Sequence, residues 1–323
     1  MRPSSDRVIS LNRRHFIESS VATAATVAVA TTAGVSLHGL SSAAEAGEAT
    51  LGLIQRRIPS SGEMLPVIGL GTSGPFEVGI DPRDREPLAA VLSGFFAAGA
   101  TLIDTSPMYS SAESVLGDLL TAEMQSRAFI ATKVWTRGAR EGIVQMTRSM
   151  ELLRRKKVEL MQVHNLLDLE AHLPTLRRWK EEGRIRYVGI THYTVESHAR
   201  LAEIIEREPI DFVQFNYSAT TTAAEERLLP LCADKGVAVI VNRAFDDGKI
   251  FTRLKDRPLP TWAADIACTS WAQLLLKFVI SHPAVTCVIP ATGKLRNLQD
   301  NLAAGHGPLP DTQQRRAIVA AVA

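Results

Sequence analysis

From residue 64 onward the chain repeats one pattern eight times: a short β-branched or apolar run, then a stretch with helical spacing. The runs cover 66–70, 101–103, 128–131, 158–163, 185–190, 211–215, 237–241 and 285–289, and the helical stretches 87–98, 111–123, 139–155, 170–182, 195–207, 222–235, 268–281 and 294–304. Strands this short cannot fold back on one another when a helix separates each from the next. They must lie parallel, with the helices covering them. Eight such units of roughly thirty residues predict an α/β fold, a (β/α)8 barrel closed on itself. An open doubly wound sheet would need a glycine-rich phosphate turn after its first strand. Gly69-Leu-Gly71-Thr72 is not followed by a spaced third glycine opening a helix, so the barrel is the better reading.

Residues 1–46 do not belong to that rhythm. Arg2, Arg7, Arg13 and Arg14 precede a bland run rich in alanine, threonine and valine, and the segment ends on Ala44-Glu45-Ala46. A charged start, a modest apolar middle and small residues at the cleavage positions make an export signal. Asn12-Arg13-Arg14-His15-Phe16-Ile17 is similar to the twin-arginine export motif, which implies the twin-arginine translocation machinery as a partner and a periplasmic destination. The expected division is therefore a signal at 1–46 and one barrel at 47–323. No second apolar stretch near twenty residues follows, so the remainder carries no candidate membrane span. With 36 basic against 34 acidic side chains, a net +2 gives no reason to expect nucleic acid as a partner. Arg154-Arg155-Lys156-Lys157 reads as cations in the last turn of a helix. Three scattered cysteines suit neither a disulfide framework nor a zinc site, and no metal is expected.

The residues that end the strands are polar. Asp104 closes the second run, Lys133 the third, His164 the fourth, Thr191 the fifth, Asn216 the sixth and Asn242-Arg243 the seventh. In a parallel barrel these ends share one mouth, where active sites lie. Asp104-Thr-Ser-Pro-Met-Tyr109 brings a carboxylate and a phenol there together. A phenol near pKa 10 is a poor acid at neutral pH unless something stabilises its phenolate. Lys133 can do that, with Asp104 keeping the lysine charged and positioned. The set is suited to giving a proton to a carbonyl oxygen whose carbon receives a hydride, with His164 holding that oxygen. A structural ion pair of Asp104 and Lys133, or a packed Tyr109 or His164, are the alternatives from the residues alone.

In order and spacing, Asp104, Tyr109, Lys133 and His164 resemble the tetrad of the aldo-keto reductase superfamily. Flanking stretches are similar too: Gly69-Leu-Gly71-Thr72, Glu113-Ser-Val-Leu-Gly117, Thr132-Lys133-Val-Trp135, Gly183-Arg-Ile-Arg-Tyr-Val-Gly-Ile190, Asp211-Phe-Val-Gln-Phe-Asn-Tyr217 and Val288-Ile-Pro-Ala-Thr292. The resemblance spans residues 64–302 and implies an NADPH-dependent reductase of aldehydes or ketones, with Tyr109 as general acid. It implies a cofactor lying across the barrel mouth, NADP(H) with NAD(H) left open. Gly71, Thr72 and Asp104 would stand near the nicotinamide, with Thr191, His192 and Gln214 at its carboxamide. Asn242 and Arg243 follow along the cofactor, and Thr292, Lys294, Asn297 and Asn301 serve the adenosine end. Lys294 or Arg296 is the cation for a 2′-phosphate.

The chain departs from the family in places. His192 replaces the usual Asn. Asn242-Arg243-Ala244-Phe245 stands where the family offers a stacking ring followed by Ser-Pro-Leu, and Ala291 replaces a common basic residue. Trp135 and Phe245 are expected to wall the substrate pocket, with a long loop over 244–267. The superfamily also contains channel-associated subunits with an intact tetrad, so a nicotinamide-binding sensor or partner subunit with little turnover is the second reading. A Schiff-base enzyme using Lys133 as nucleophile is the third.

Overall fold

The computed structural model describes residues 52–323; the expected export signal lies outside the described residues. The described chain opens with a hairpin, β1 (Gln55–Arg57) paired antiparallel to β2 (Met64–Pro66). Alternation then begins: β3 (Leu70–Gly71), α1 (Pro82–Ala97), β4 (Leu102–Asp104), α2 (Ala112–Leu119), α3 (Ala122–Arg127), β5 (Phe129–Val134), α4 (Ala139–Leu152), β6 (Val158–His164), α5 (Leu169–Glu181) and β7 (Ile185–Thr191). It continues through α6 (His198–Arg207), β8 (Phe212–Asn216), α7 (Leu228–Lys235), β9 (Ala238–Asn242), α8 (Lys249–Leu254), α9 (Trp271–Ile280), β10 (Val285–Val288), α10 (Leu295–Ala303) and α11 (Thr312–Val322). Among the described residues no helix is long and apolar enough to cross a membrane.

Strands β3 to β10 form one parallel sheet in sequence order, each paired with its neighbour in the chain. Backbone bonds join the two edges: Val288 N donates to Val67 O at 2.9 Å, Gly69 N to Val288 O at 2.8 Å and Gly71 N to Pro290 O at 3.2 Å. The barrel is closed, as the rhythm of the sequence predicts. Closure packs Gly69 between β4 and β10, where a Cβ would stand 2.9 Å from Leu102 O and 3.1 Å from Cys287 Sγ. Only glycine fits there.

Two apolar layers hold the fold. One fills the barrel's interior, with Leu102, Phe129, Leu160, Tyr187, Phe212, Ile240 and Cys287 packed on Ile58 and Leu65 of the hairpin region. The other lies between strands and helices and draws on the alternate strand residues, such as Ile130, Val134, Met161 and Val163. Because side chains alternate with period two, each strand's inward series can be followed toward its carboxyl end. It reads Leu102-Asp104, Phe129-Ala131-Lys133, Leu160-Gln162-His164, Tyr187-Gly189-Thr191, Phe212-Gln214-Asn216 and Ala238-Ile240-Asn242. The interior is greasy at the amino end and polar at the carboxyl end, which is where the site forms.

Several boundaries differ from the sequence reading. The first predicted strand, 66–70, is split between the end of β2 and the start of β3, because the hairpin takes Pro66. The stretch 111–123 is two helices, since Thr121 caps a new one by accepting from Met124 N. Helix α4 stops at Leu152, and Arg154 has φ +56, so the basic run follows the helix rather than closing it. Arg155 instead reaches the largely buried Glu159 at 2.9 Å. The expected long loop over 244–267 contains α8 and a 3-10 turn at Thr261–Ile266.

Candidate active site

Asp104 and Lys133 meet at the barrel mouth because they are the inward residues at the ends of neighbouring strands β4 and β5. Lys133 Nζ donates to Asp104 Oδ2 at 2.6 Å and to Thr105 O at 2.7 Å, and its side chain is 0% exposed. The other carboxylate oxygen, Oδ1, accepts from Gln162 Nε2 at 3.1 Å and Gln214 Nε2 at 2.8 Å. A buried ion pair persists only when its remaining donors and acceptors are satisfied, and these amides do that. Gln162 has room inside the barrel because Gly189 is opposite, where a Cβ would come 3.0 Å from both Gln162 Cγ and Leu160 Cδ1.

Lys133 also lies 4.9 Å from the centre of the half-buried Tyr109 ring. Burial works to lower the lysine's pKa, but the Asp104 carboxylate and Tyr109 outweigh it, holding the ammonium above its usual 10.5. For Tyr109 the balance differs from the sequence expectation. Burial raises the phenol above its usual 10, and the attraction of Lys133 offsets only part of that rise. Tyr109 is therefore a protonated phenol at neutral pH, with a cation placed to receive the charge it would leave behind. His164 stands edge-on to Tyr109, ring centres 5.9 Å apart. Burial, then Lys133 and His192, push its pKa down to about 3, so the imidazole is neutral. Its Nδ1 is 3.0 Å from Ser106 Oγ.

Asp104, Tyr109 and His164 line a cavity of about 600 Å³ at the carboxyl end of the barrel. Gly71, Thr72, Asp104, Tyr109, His164, Thr191, Gln214, Asn242, Arg243 and Phe245 are on its wall, all of them expected from the sequence. Thr72 is fixed there by its hydroxyl, which donates to Asp104 O at 3.0 Å. The Gln214 amide is fully engaged: its oxygen accepts from Thr191 Oγ1 and Asn242 Nδ2, each at 3.2 Å. Asn242 Oδ1, in contrast, is a buried acceptor without a partner at that wall. Arg243 has φ +55, pairs with Asp247 and lies 5.1 Å from the centre of the Tyr193 ring.

Six expected cofactor and substrate residues are elsewhere. Thr292 is buried after β10 and accepts from Lys294 N at 3.1 Å, while Lys294 is the N-cap of α10. Asn297 and Asn301 follow on that helix, the first exposed and the second buried. They gather at the start and along one helix, outside the cavity wall. His192 is also off the wall, stacked on Tyr193 at 5.4 Å. Trp135 is held by Gln145, which binds both its backbone N and O, and its ring centre is 6.5 Å from that of His164.

Sequence reasoning missed Ser106, Gln162, Met108 and Asn165. The last two line the cavity together with Phe251, as expected of the aromatics in the 244–267 segment, while Gln162 reaches Asp104 and Ser106 reaches His164. Gln162 was available from the pattern, being two residues before His164 and so on the same inward face. Among the described residues no group of three or more acidic, histidine or cysteine side chains could hold a metal.

The aldo/keto reductase family model matches residues 67–320. Methylglyoxal reductase YeaE of Escherichia coli is 27% identical over 257 residues, which is 77% of this chain and 89% of that protein. The holo aldo-keto reductase AKR11C1 from Bacillus halodurans superposes with a TM-score of 0.69 at 20% identity, over 84% of this chain and 97% of that one. An aldo/keto reductase from Klebsiella pneumoniae, solved with NADP and acetate, gives 0.64 at 22% identity, over 80% and 91%. With the family's pattern running through nearly all of the barrel that carries this site, the chain belongs to the aldo/keto reductase family, whose members are NAD(P)H-dependent oxidoreductases.

Proposed function

We propose that this protein reduces an aldehyde or ketone of a small molecule to the alcohol at the expense of NADPH, with Tyr109 as the general acid. The observation that carries the reading is a protonated, half-buried phenol on a cavity wall beside a fully buried lysine. The residues present fit a nicotinamide. Asn242 Oδ1 is a buried acceptor lacking a donor at the wall, which a carboxamide N–H would satisfy. Gly71 leaves backbone close by, since a Cβ there would meet Ile289 O at 2.8 Å. Gly71, Thr72, Thr191 and Asn242 would hold that end, and Lys294, Asn297 and Asn301 the adenosine end. A reduced nicotinamide held there would supply the hydride that the carbonyl carbon needs. The carbonyl oxygen, gaining the electron pair of the broken π bond, takes the proton from Tyr109. The phenolate left behind is stabilised by the Lys133 ammonium, which Asp104 keeps charged. Neutral His164 orients the carbonyl without competing for the proton. That YeaE is named a methylglyoxal reductase, and that the Klebsiella structure was solved with NADP, support this chemistry.

The test is NADPH oxidation by the purified protein with a panel of aldehydes and dicarbonyls. Tyr109→Phe should lower kcat by about 10²- to 10⁴-fold, the range for a lost general acid, with NADPH affinity kept. Full turnover in that variant would remove Tyr109 from its role. Tight NADPH binding with no consumption across the panel would instead favour a nicotinamide-binding subunit. We also propose that residues 1–46 send the folded barrel to the periplasm by the twin-arginine route. Arg13→Lys/Arg14→Lys should leave the protein in the cytoplasmic fraction, and an unchanged periplasmic amount would refute that.

A further inference from the structure

We infer that Ser106 is a positioning residue for this reaction: its hydroxyl donates to His164 Nδ1 and so fixes the imidazole as the tautomer carrying its proton on Nε2, toward the cavity. The inference rests on the carbonyl-reductase reading for its consequence, but its geometry stands without it. Ser106 is 0% exposed, and its Oγ is 3.0 Å from His164 Nδ1. That Oγ also accepts the backbone N–H of Met108 at 3.2 Å. A serine hydroxyl has one proton and two lone pairs. If Nδ1 carried the imidazole proton, both lone pairs would be taken by Met108 and His164. The buried Ser106 proton would then need an acceptor, and no other partner of that hydroxyl is present among the described residues. If Ser106 donates to Nδ1 instead, its proton, its acceptor role and Nδ1 are all satisfied at once.

The alternative of a doubly protonated ring is closed by the same surroundings. The imidazole is buried next to the Lys133 ammonium, and two N–H groups would again leave the serine proton without an acceptor. The remaining ring nitrogen, Nε2, is then an N–H available to a molecule in the cavity that His164 lines. A carbonyl oxygen accepts hydrogen bonds only. It can be held by the tautomer that Ser106 imposes and not by the other. The turn that makes this possible is short: Tyr109 N donates to Ser106 O at 3.0 Å, so one turn sets both the proton donor and the hydroxyl that orients its histidine neighbour.

The experiment uses the full-length protein without substrate, labelled with ¹⁵N-histidine, with His164 assigned by loss of its signals in His164→Gln. Wild type should show a pyridine-like Nδ1 and a pyrrole-like Nε2 that stay unchanged from pH 8 to pH 5. A pyrrole-like Nδ1 would overturn the inference whatever the enzyme assays show. In Ser106→Ala the Nδ1 resonance should shift as its donor is lost, and kcat/KM for the best carbonyl of the panel should fall about tenfold with NADPH affinity unchanged. Ser106→Thr, which keeps the hydroxyl, should recover both the resonance and the rate. Unchanged Nδ1 shift and unchanged kcat/KM in Ser106→Ala would also overturn it. If wild type reduces no carbonyl yet shows the expected tautomer, the functional reading fails and the assignment to Ser106 stands.

Discussion

Asp104 shows how few residues set the chemistry of this barrel. Its two oxygens take three side-chain donors, Lys133 on one and Gln162 and Gln214 on the other. The lysine alone would satisfy the charge. The two amides decide which way the carboxylate faces, and therefore where the ammonium sits relative to Tyr109. Gln162→Leu keeps the side chain's approximate size but removes one of those donors, leaving Gln214 to hold Oδ1 alone. We expect kcat to fall about tenfold, the equivalent of one lost hydrogen bond to a charged group at about 1.4 kcal/mol. Tm should drop by only a few degrees. Steady-state kinetics with a thermal melt checks this, and a large loss of Tm with unchanged kcat would show that Gln162 only packs. That Asp104, Tyr109, Lys133 and His164 would meet at one mouth was readable from residue types and order. The balance of forces on Tyr109 was not, because the lysine's pull is visible in a sequence and the depth of burial is not.

At the level of elements, legibility followed burial. The parallel strands were readable because their residues are buried on both faces, which leaves an unbroken apolar run over Ala238–Val241 of β9 and a mostly apolar one in β6, broken by Glu159 and Gln162. The hairpin was not, since β1 and β2 are three residues each and carry exposed Gln55, Arg57 and Met64. Helix α11 was missed for a related reason: it buries only Ile318 and Val322, too few for a periodic stripe. Its start was nevertheless written in the chain, where Asp311 and Gln314 form a reciprocal capping box. What docks α11 is Arg315, whose guanidinium donates to Phe278 O, Ser281 Oγ, the Tyr217 hydroxyl and Glu225. Arg315→Ala removes all four and leaves the Tyr217–Glu225 pair without its cation. The expected cost is about 2 kcal/mol, seen as a Tm lower by about 4–8 °C, with kcat kept because the network is remote from Tyr109. A Tm within 1 °C of wild type would mean that the helix is held by its apolar face alone.

Across the whole molecule, burial of histidine sets a direction for stability against pH. His164, His192, His198 and His282 all lie below the usual 6.5, burial being the first cause in each, and His164 is at about 3. Between those values and 6.5 the unfolded chain binds protons that the folded chain refuses. Acidification therefore favours unfolding, and the contribution of each histidine is lost as pH falls from about 6.5 toward its folded value. Glu113 and Glu159 act in the opposite sense. Burial raises both, so they favour folding below 4.5 and lose that contribution as pH rises past it. Among the histidines His164 has the widest window. Its share can be isolated by comparing wild type with His164→Gln in urea at pH 7, 6, 5 and 4. Wild type should lose stability relative to the variant by up to about 1.4 kcal/mol per pH unit below 6.5, on the order of a few kcal/mol by pH 4. Parallel curves would mean that the folded protein protonates His164 as readily as the unfolded chain does. The neutral imidazole that the proposed orientation of the carbonyl requires would then be absent in mild acid, and kcat should fall with it.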